Sequence, residues 1–134
     1  MKTTARAAAA SSESKNVIAL KPRKAPAPYV FEGTIEGLID ELRPAVPIHV
    51  LHTDKITESA RHFLAGFSGT PMYAVKCNPD KFVLQTLIRA GIRAFDVASI
   101  AEVRLLRKLA PRAKLYFMHP IKAREAIAEA YRQH

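Results

Sequence analysis

The 134-residue sequence predicts a parallel α/β fold. Short apolar runs, PMYAVK (71–76), RAFDVAS (93–99) and AKLYFM (113–118), recur about every 20 residues, as strands of successive βαβ units do. Each is followed by a stretch whose apolar residues fall at helical spacing. The segments between them are very short, which leaves room for alternating strands and helices and little else.

The elements follow in order. TIEGLIDEL (34–42) places Ile35, Leu38, Ile39 and Leu42 at helical spacing, and Pro44 ends the helix. PIHVLH (47–52) reads as a short strand. Thr53 can cap the next helix, on which Ile56, Ala60, Phe63, Leu64 and Phe67 share a face and which Gly66 and Gly69 close. After the strand PMYAVK, Asn78 or Asp80 can cap a helix with Pro79 in its first turn. That helix carries Val83, Leu84, Leu87 and Ile88, and Gly91 stops it. RAFDVAS leads to a helix with Val103, Leu106 and Leu109 inward, and AKLYFM to one with Ile127, Ala130 and Tyr131 inward. An eight-unit barrel takes about 250 residues. The expectation is therefore a partial TIM-type (β/α)8 barrel of three or four β/α units over 29–134, cut within a helix because AREAIAEAYRQH (123–134) has no terminator. The chain reads as the amino-terminal part of a larger enzyme.

Composition narrows the function classes. The single Cys77 excludes an intramolecular disulfide and points to a reducing compartment, with Cys77 itself a small core residue. No apolar run reaches the roughly 18 residues of a membrane span, so a soluble, cytoplasmic protein is expected, with no membrane partner. The net charge of +9 could suit a polyanion, but Lys2, Arg6, Lys15, Lys21, Arg23 and Lys24 precede Tyr29 against Glu13 alone. The remaining cations are scattered without aromatic interleaving or a DNA-reading motif, so nucleic acid is not the expected partner. Residues 1–28, rich in Ala, Ser, Pro and basic residues, read as a disordered basic leader; a transit peptide has a similar composition.

In parallel α/β folds the residues at the carboxyl ends of the strands line the ligand site, and here those are Lys76, Asp96 and His119. Burying an unpaired ammonium is costly, so a lysine at a strand end within a cleft has an anionic partner, a lowered pKa or a covalent role as an amine nucleophile. Against this, a lysine can reach solvent along its own stem. Ser99-Ile100-Ala101-Glu102 has the spacing of a capping box in which Glu102 reaches back to the Ser99 amide. His119 reads equally as a strand-end hydrogen-bonding residue, and His49, His52, His62 and His134 have no metal-ligand spacing.

YAVKCNP (73–79) resembles the cofactor-lysine motif of the barrel-fold pyridoxal-phosphate decarboxylases, the ornithine/diaminopimelate/arginine decarboxylase family; Lys76-Cys77-Asn78 is most similar to its ornithine-decarboxylating members. FDVASIAEV (95–103) resembles the family's Phe-Asp-x-Ala-Ser-x-x-Glu segment. YFMHPIK (116–122) resembles its Ala-Asn-Pro-x-Lys strand end, with Met118 and His119 replacing Ala-Asn as in a bacterial branch. The resemblance implies that Lys76 bonds the aldehyde of pyridoxal 5'-phosphate and later transfers protons. It implies that Ala74 packs close to the cofactor, that Asp96 keeps the proton balance beside it, and that Glu102 and His119 are cofactor-binding positions. It further implies decarboxylation of a basic amino acid, ornithine before lysine, by a homodimer in the polyamine pathway that yields putrescine. The family's phosphate-binding loop, its pyridine-nitrogen acid and its carboxy-terminal Cys and Asp have no counterpart here, so the chain alone is expected to be inactive. A non-catalytic partner of a full-length homologue and a small pyridoxal-phosphate carrier are the alternative readings.

Overall fold

A computed structural model describes residues 29–133. The expected leader, 1–28, and the helical reading at His134 lie outside the described residues. The chain divides into two compact units, Met1–Ala45 and Val46–His134.

The described part of the first unit holds one helix, α1 (Ile35–Leu42). Thr34 caps it: its hydroxyl accepts the Gly37 amide at 3.2 Å, satisfying one of the N–H groups that a helix start leaves over. Glu36 in the first turn is held below the usual carboxylate range by a hydrogen bond from its own backbone and one from the Thr34 hydroxyl. Arg43 takes a left-handed conformation, φ 40°, and its amide bonds the Ile39 carbonyl, so the helix stops one residue before Pro44. Of the four apolar residues at helical spacing, only Leu38 is buried; Ile35, Ile39 and Leu42 are exposed.

The second unit contains α2 (Thr53–Gly66), β1 (Met72–Ala74), a 3-10 turn (Val75–Cys77), α3 (Lys81–Ala90), β2 (Ala94–Val97), α4 (Ile100–Leu109), β3 (Lys114–Phe117) and α5 (Arg124–Arg132). The three strands form one parallel sheet in the order β1-β2-β3. Consecutive parallel strands joined by helices are the expected β/α repeat, and the parallel α/β reading holds.

Pairing sets the sheet's two faces. Tyr73, Phe95 and Leu115 lie in register, as do Val97 and Phe117. Phe95 and Val97, with Val75 beyond β1, are fully buried with Leu84 of α3 and Leu106 of α4 in the main apolar cluster. Truncating one such side chain to Ala costs about 2–5 kcal/mol. The opposite lines are Met72–Ala94–Lys114 and Ala74–Asp96–Tyr116. Ala94 is buried and Ala74 and Asp96 partly so, but Met72 and Tyr116 are exposed, as is Met118 beyond β3, so among the described residues this face is open in part where a parallel sheet is normally covered on both.

Helix ends follow local chemistry. Asp80 caps α3 by accepting from the Phe82 and Val83 amides, and Asn78 Oδ1 accepts the Asp80 amide at 3.0 Å. Gly91 closes α3 at φ 117°, where a side chain would be strained and a Cβ would come within 3.2 Å of Leu64 Cδ1. Val103 and Leu106 are buried and Leu109 packs against them, as the helical spacing of α4 predicts.

Several expectations are corrected. Residues 47–52 form no strand: they have no ladder partner, and Ile48, Val50 and Leu51 are exposed, since β-propensity without pairing does not make a sheet. Thr53 is the first residue of α2, and its N-cap is His52, without a side-chain bond. Pro79 precedes the Asp80 cap and so lies outside α3. Cys77 is exposed, not a core residue. On α5, Ile127 and Tyr131 are exposed and only Ala130 touches the core. Phe63 and Phe67, expected on the inner face of α2, are exposed and stack on each other with ring centroids 5.2 Å apart.

Candidate cofactor site

The residues singled out in sequence gather at the carboxyl ends of the three strands. Ala74 ends β1 directly opposite Asp96 of β2, and both are partly buried on the open face. Lys76 follows Ala74 by two residues. It does not end a strand: β1 stops at Ala74 and Lys76 sits in the 3-10 turn. The reason lies just downstream, where Pro79 holds Asn78 extended, φ −157°, and the chain must turn sharply to bring Asp80 to the start of α3. Val75 anchors the turn with no exposed surface, while Lys76 is exposed. Of the two readings of this lysine, the stem that reaches solvent is the one observed, and no burial cost arises. Neither the Lys76 amine nor the Asp96 carboxylate has a hydrogen bond or ion pair among the described residues.

Glu102 is committed to the backbone. Its Oε2 accepts the Ala98 amide at 2.8 Å, and Ser99 Oγ accepts the Glu102 amide at 3.3 Å. The capping box exists, but the reciprocal bond goes to Ala98, one residue before the expected Ser99. His119 lies two residues beyond β3 and is exposed, with Nδ1 2.7 Å from the Ile121 carbonyl and 3.2 Å from the Ile121 amide.

Lys122, quoted within a motif but given no role from sequence, proves structural. Its ammonium donates to the Phe117 carbonyl at 2.8 Å and stands 5.2 Å from the Phe117 ring centre, closing the loop that carries His119 over the end of β3. Tyr116 was also missed as a site neighbour. Its register with Ala74 and Asp96 puts it on the open face, a position that follows from period-two alternation once Phe117 is known to face the core.

Two concavities in this unit lie elsewhere. One, about 540 Å³, runs between α2, α3 and β1; the other, about 730 Å³, lies along α2 from Thr53 to His62. Neither is lined by Lys76, Asp96, Glu102 or His119.

A family profile described as "Pyridoxal-dependent decarboxylase, pyridoxal binding domain" matches residues 53–134. The chain belongs to this decarboxylase family. All five candidate residues fall within the matched stretch, and the cofactor of the domain is pyridoxal phosphate. Among curated proteins, an ornithine decarboxylase from Panagrellus redivivus is 45% identical over 60 residues, 45% of this chain and 14% of that enzyme. The matched part is thus a small fraction of the relative's length. No solved structure matches the chain.

The residues present fit the cofactor. An aldehyde needs an accessible amine without a competing partner, which Lys76 offers. A flat ring needs a small neighbour on the strand beside the amine, which Ala74 provides, and a carboxylate lies next to it in Asp96.

Proposed function

We propose that this chain contributes the cofactor-lysine side of the active site of a decarboxylase that converts a basic amino acid to its amine, with ornithine to putrescine as the first candidate and lysine to cadaverine as the second. One observation carries the reading: within the family's pyridoxal-binding domain, Ala74 and Asp96 stand side by side in the sheet with the accessible Lys76 two residues beyond. When bound, pyridoxal phosphate supplies an electron sink that lets a carboxyl group leave as carbon dioxide.

Lys76 holds the cofactor through Nζ and afterwards holds a proton at that atom. Asp96 favours a protonated nitrogen beside it, because a nearby negative charge stabilises the charged form. Ala74 lets the ring approach the strand, and Glu102, in the first turn of α4, and His119, in the loop after β3, border the site. The full-length enzyme is a cytoplasmic barrel acting as a homodimer. The 134-residue chain alone does not turn over, since the sheet face bearing Ala74 and Asp96 is open to water, which competes with every charge interaction a closed site would use.

Carbon dioxide release from carboxyl-labelled ornithine, lysine and arginine tests this. The expected result is no release by the chain alone and release, ornithine first, by a polypeptide in which these residues are completed by the rest of a family barrel; Lys76→Arg abolishes it. Turnover by the chain alone would contradict the incompleteness, and a completed polypeptide inert toward every basic amino acid would contradict the decarboxylase reading.

A further inference from the structure

The turn that carries Lys76 is clasped from below. Tyr73 lies three residues before the lysine, on the helix-covered side of β1, in register with the buried Phe95. Its hydroxyl donates to the Asn78 carbonyl at 3.3 Å, so one hydrogen bond spans residues 74–77 and closes the segment that presents the amine. Downstream, α3 carries its own cap, separate from this bond: Asp80 accepts the Phe82 and Val83 amides, and Asn78 Oδ1 accepts the Asp80 amide. Burial of Tyr73 pushes its pKa up, so the hydroxyl remains a donor across the neutral range. Val75, fully buried, fixes the other side of the turn. A lysine amine on a four-carbon stem gains little selectivity from its own rotamers. The backbone beneath it must therefore be held.

We infer that Tyr73 is a positioning residue for Lys76: through the Asn78 carbonyl its hydroxyl fixes the 3-10 turn that aims the amine at the cofactor aldehyde. The inference rests on the cofactor role of Lys76 and adds a residue that touches neither cofactor nor substrate. Removing the hydroxyl leaves the ring in the core and frees the turn. Capture of the aldehyde then becomes less selective, while the fold is retained.

The test reads capture site by site. The chain is incubated with pyridoxal phosphate and reduced with borohydride, and the ratio of label on Lys76 to label on the exposed Lys81 is measured by peptide mass spectrometry, for wild type, Tyr73→Phe and Asp80→Ala. Tyr73→Phe is expected to lower the ratio about three- to tenfold, the size of one neutral hydrogen bond. Asp80→Ala uncaps α3 and is expected to lower the thermal midpoint with the ratio retained. A Tyr73→Phe ratio equal to wild type, or an equal fall in Asp80→Ala, would overturn the inference and leave Tyr73 a stabilising residue only. If wild type shows no preference for Lys76, the turn does not aim the amine in this chain and the inference fails, while the cofactor reading, which concerns the completed barrel, stands or falls on the carbon dioxide assay.

Discussion

Glu102 joins the end of β2 to the start of α4, with its carboxylate on the Ala98 amide and its own amide on Ser99 Oγ. Replacing it with Ala leaves the part-buried Ala98 amide without its partner. The expected cost is about 1–2 kcal/mol, read as a lowered urea midpoint at unchanged slope; an unchanged midpoint would show that water replaces the bond freely. The Ser99-x-x-Glu102 spacing made this cap legible in sequence. It could not say which amide the carboxylate would choose, because that depends on how far β2 has already turned when α4 begins. Lys76 shows the same limit. Its position two residues beyond Ala74, the strand partner of Asp96, was readable from the motif and the strand spacing. Its exposure agrees with the alternative that a lysine reaches solvent along its own stem; the turn was not readable, since an apolar run gives the same sequence signal whether it continues as a strand or tightens into a 3-10 turn before an Asn-Pro pair.

Between elements, α5 is held to α4 by Arg104, whose Nε and Nη2 each lie 2.6 Å from a carboxylate oxygen of Glu129. The Arg104 guanidinium holds the Glu129 carboxyl below its usual 4.5, and the carboxylate pushes Arg104 up from an already high value. A folded-state pKa below the unfolded one stabilises the folded form fully above the unfolded value and loses that contribution as pH falls through the lowered one. Attachment of α5 should therefore weaken as pH drops below about 4.5, with no matching loss on the alkaline side within the ordinary range. Backbone chemical shifts of Arg124–Arg132 followed through an acid titration check this. Glu129→Gln should flatten the response, and an identical response in both proteins would contradict the role. No local pattern announces a pair 25 residues apart, so it was invisible in sequence. The missing strand at 47–52 has the converse cause. Its residues have strand propensity, but a strand exists only through a neighbour, and none of the described residues pairs with it.

At the scale of the whole molecule, the second unit has one finished face and one open face. Helices α3 and α4 bury Phe95, Val97 and Val75, and these positions were readable because apolar periodicity reports what faces a core. The open face carries Ala74, Asp96 and Tyr116 in one line, with Met72 and Met118 exposed beside it. Sequence could place those residues at the strand ends but not show that this face would lack a cover, which depends on how many strands close the sheet. The proposed function needs the exposed Lys76, in the turn after β1, to be the amine that receives pyridoxal phosphate. Borohydride reduction of the wild-type chain with pyridoxal phosphate, followed by peptide mapping, tests it most directly. Lys76 should take the label ahead of the exposed Lys55, Lys81, Lys108 and Lys114, and Lys76→Arg should remove the preference without raising label elsewhere. Label spread evenly over those lysines, with Lys76 no different from the rest, would contradict it.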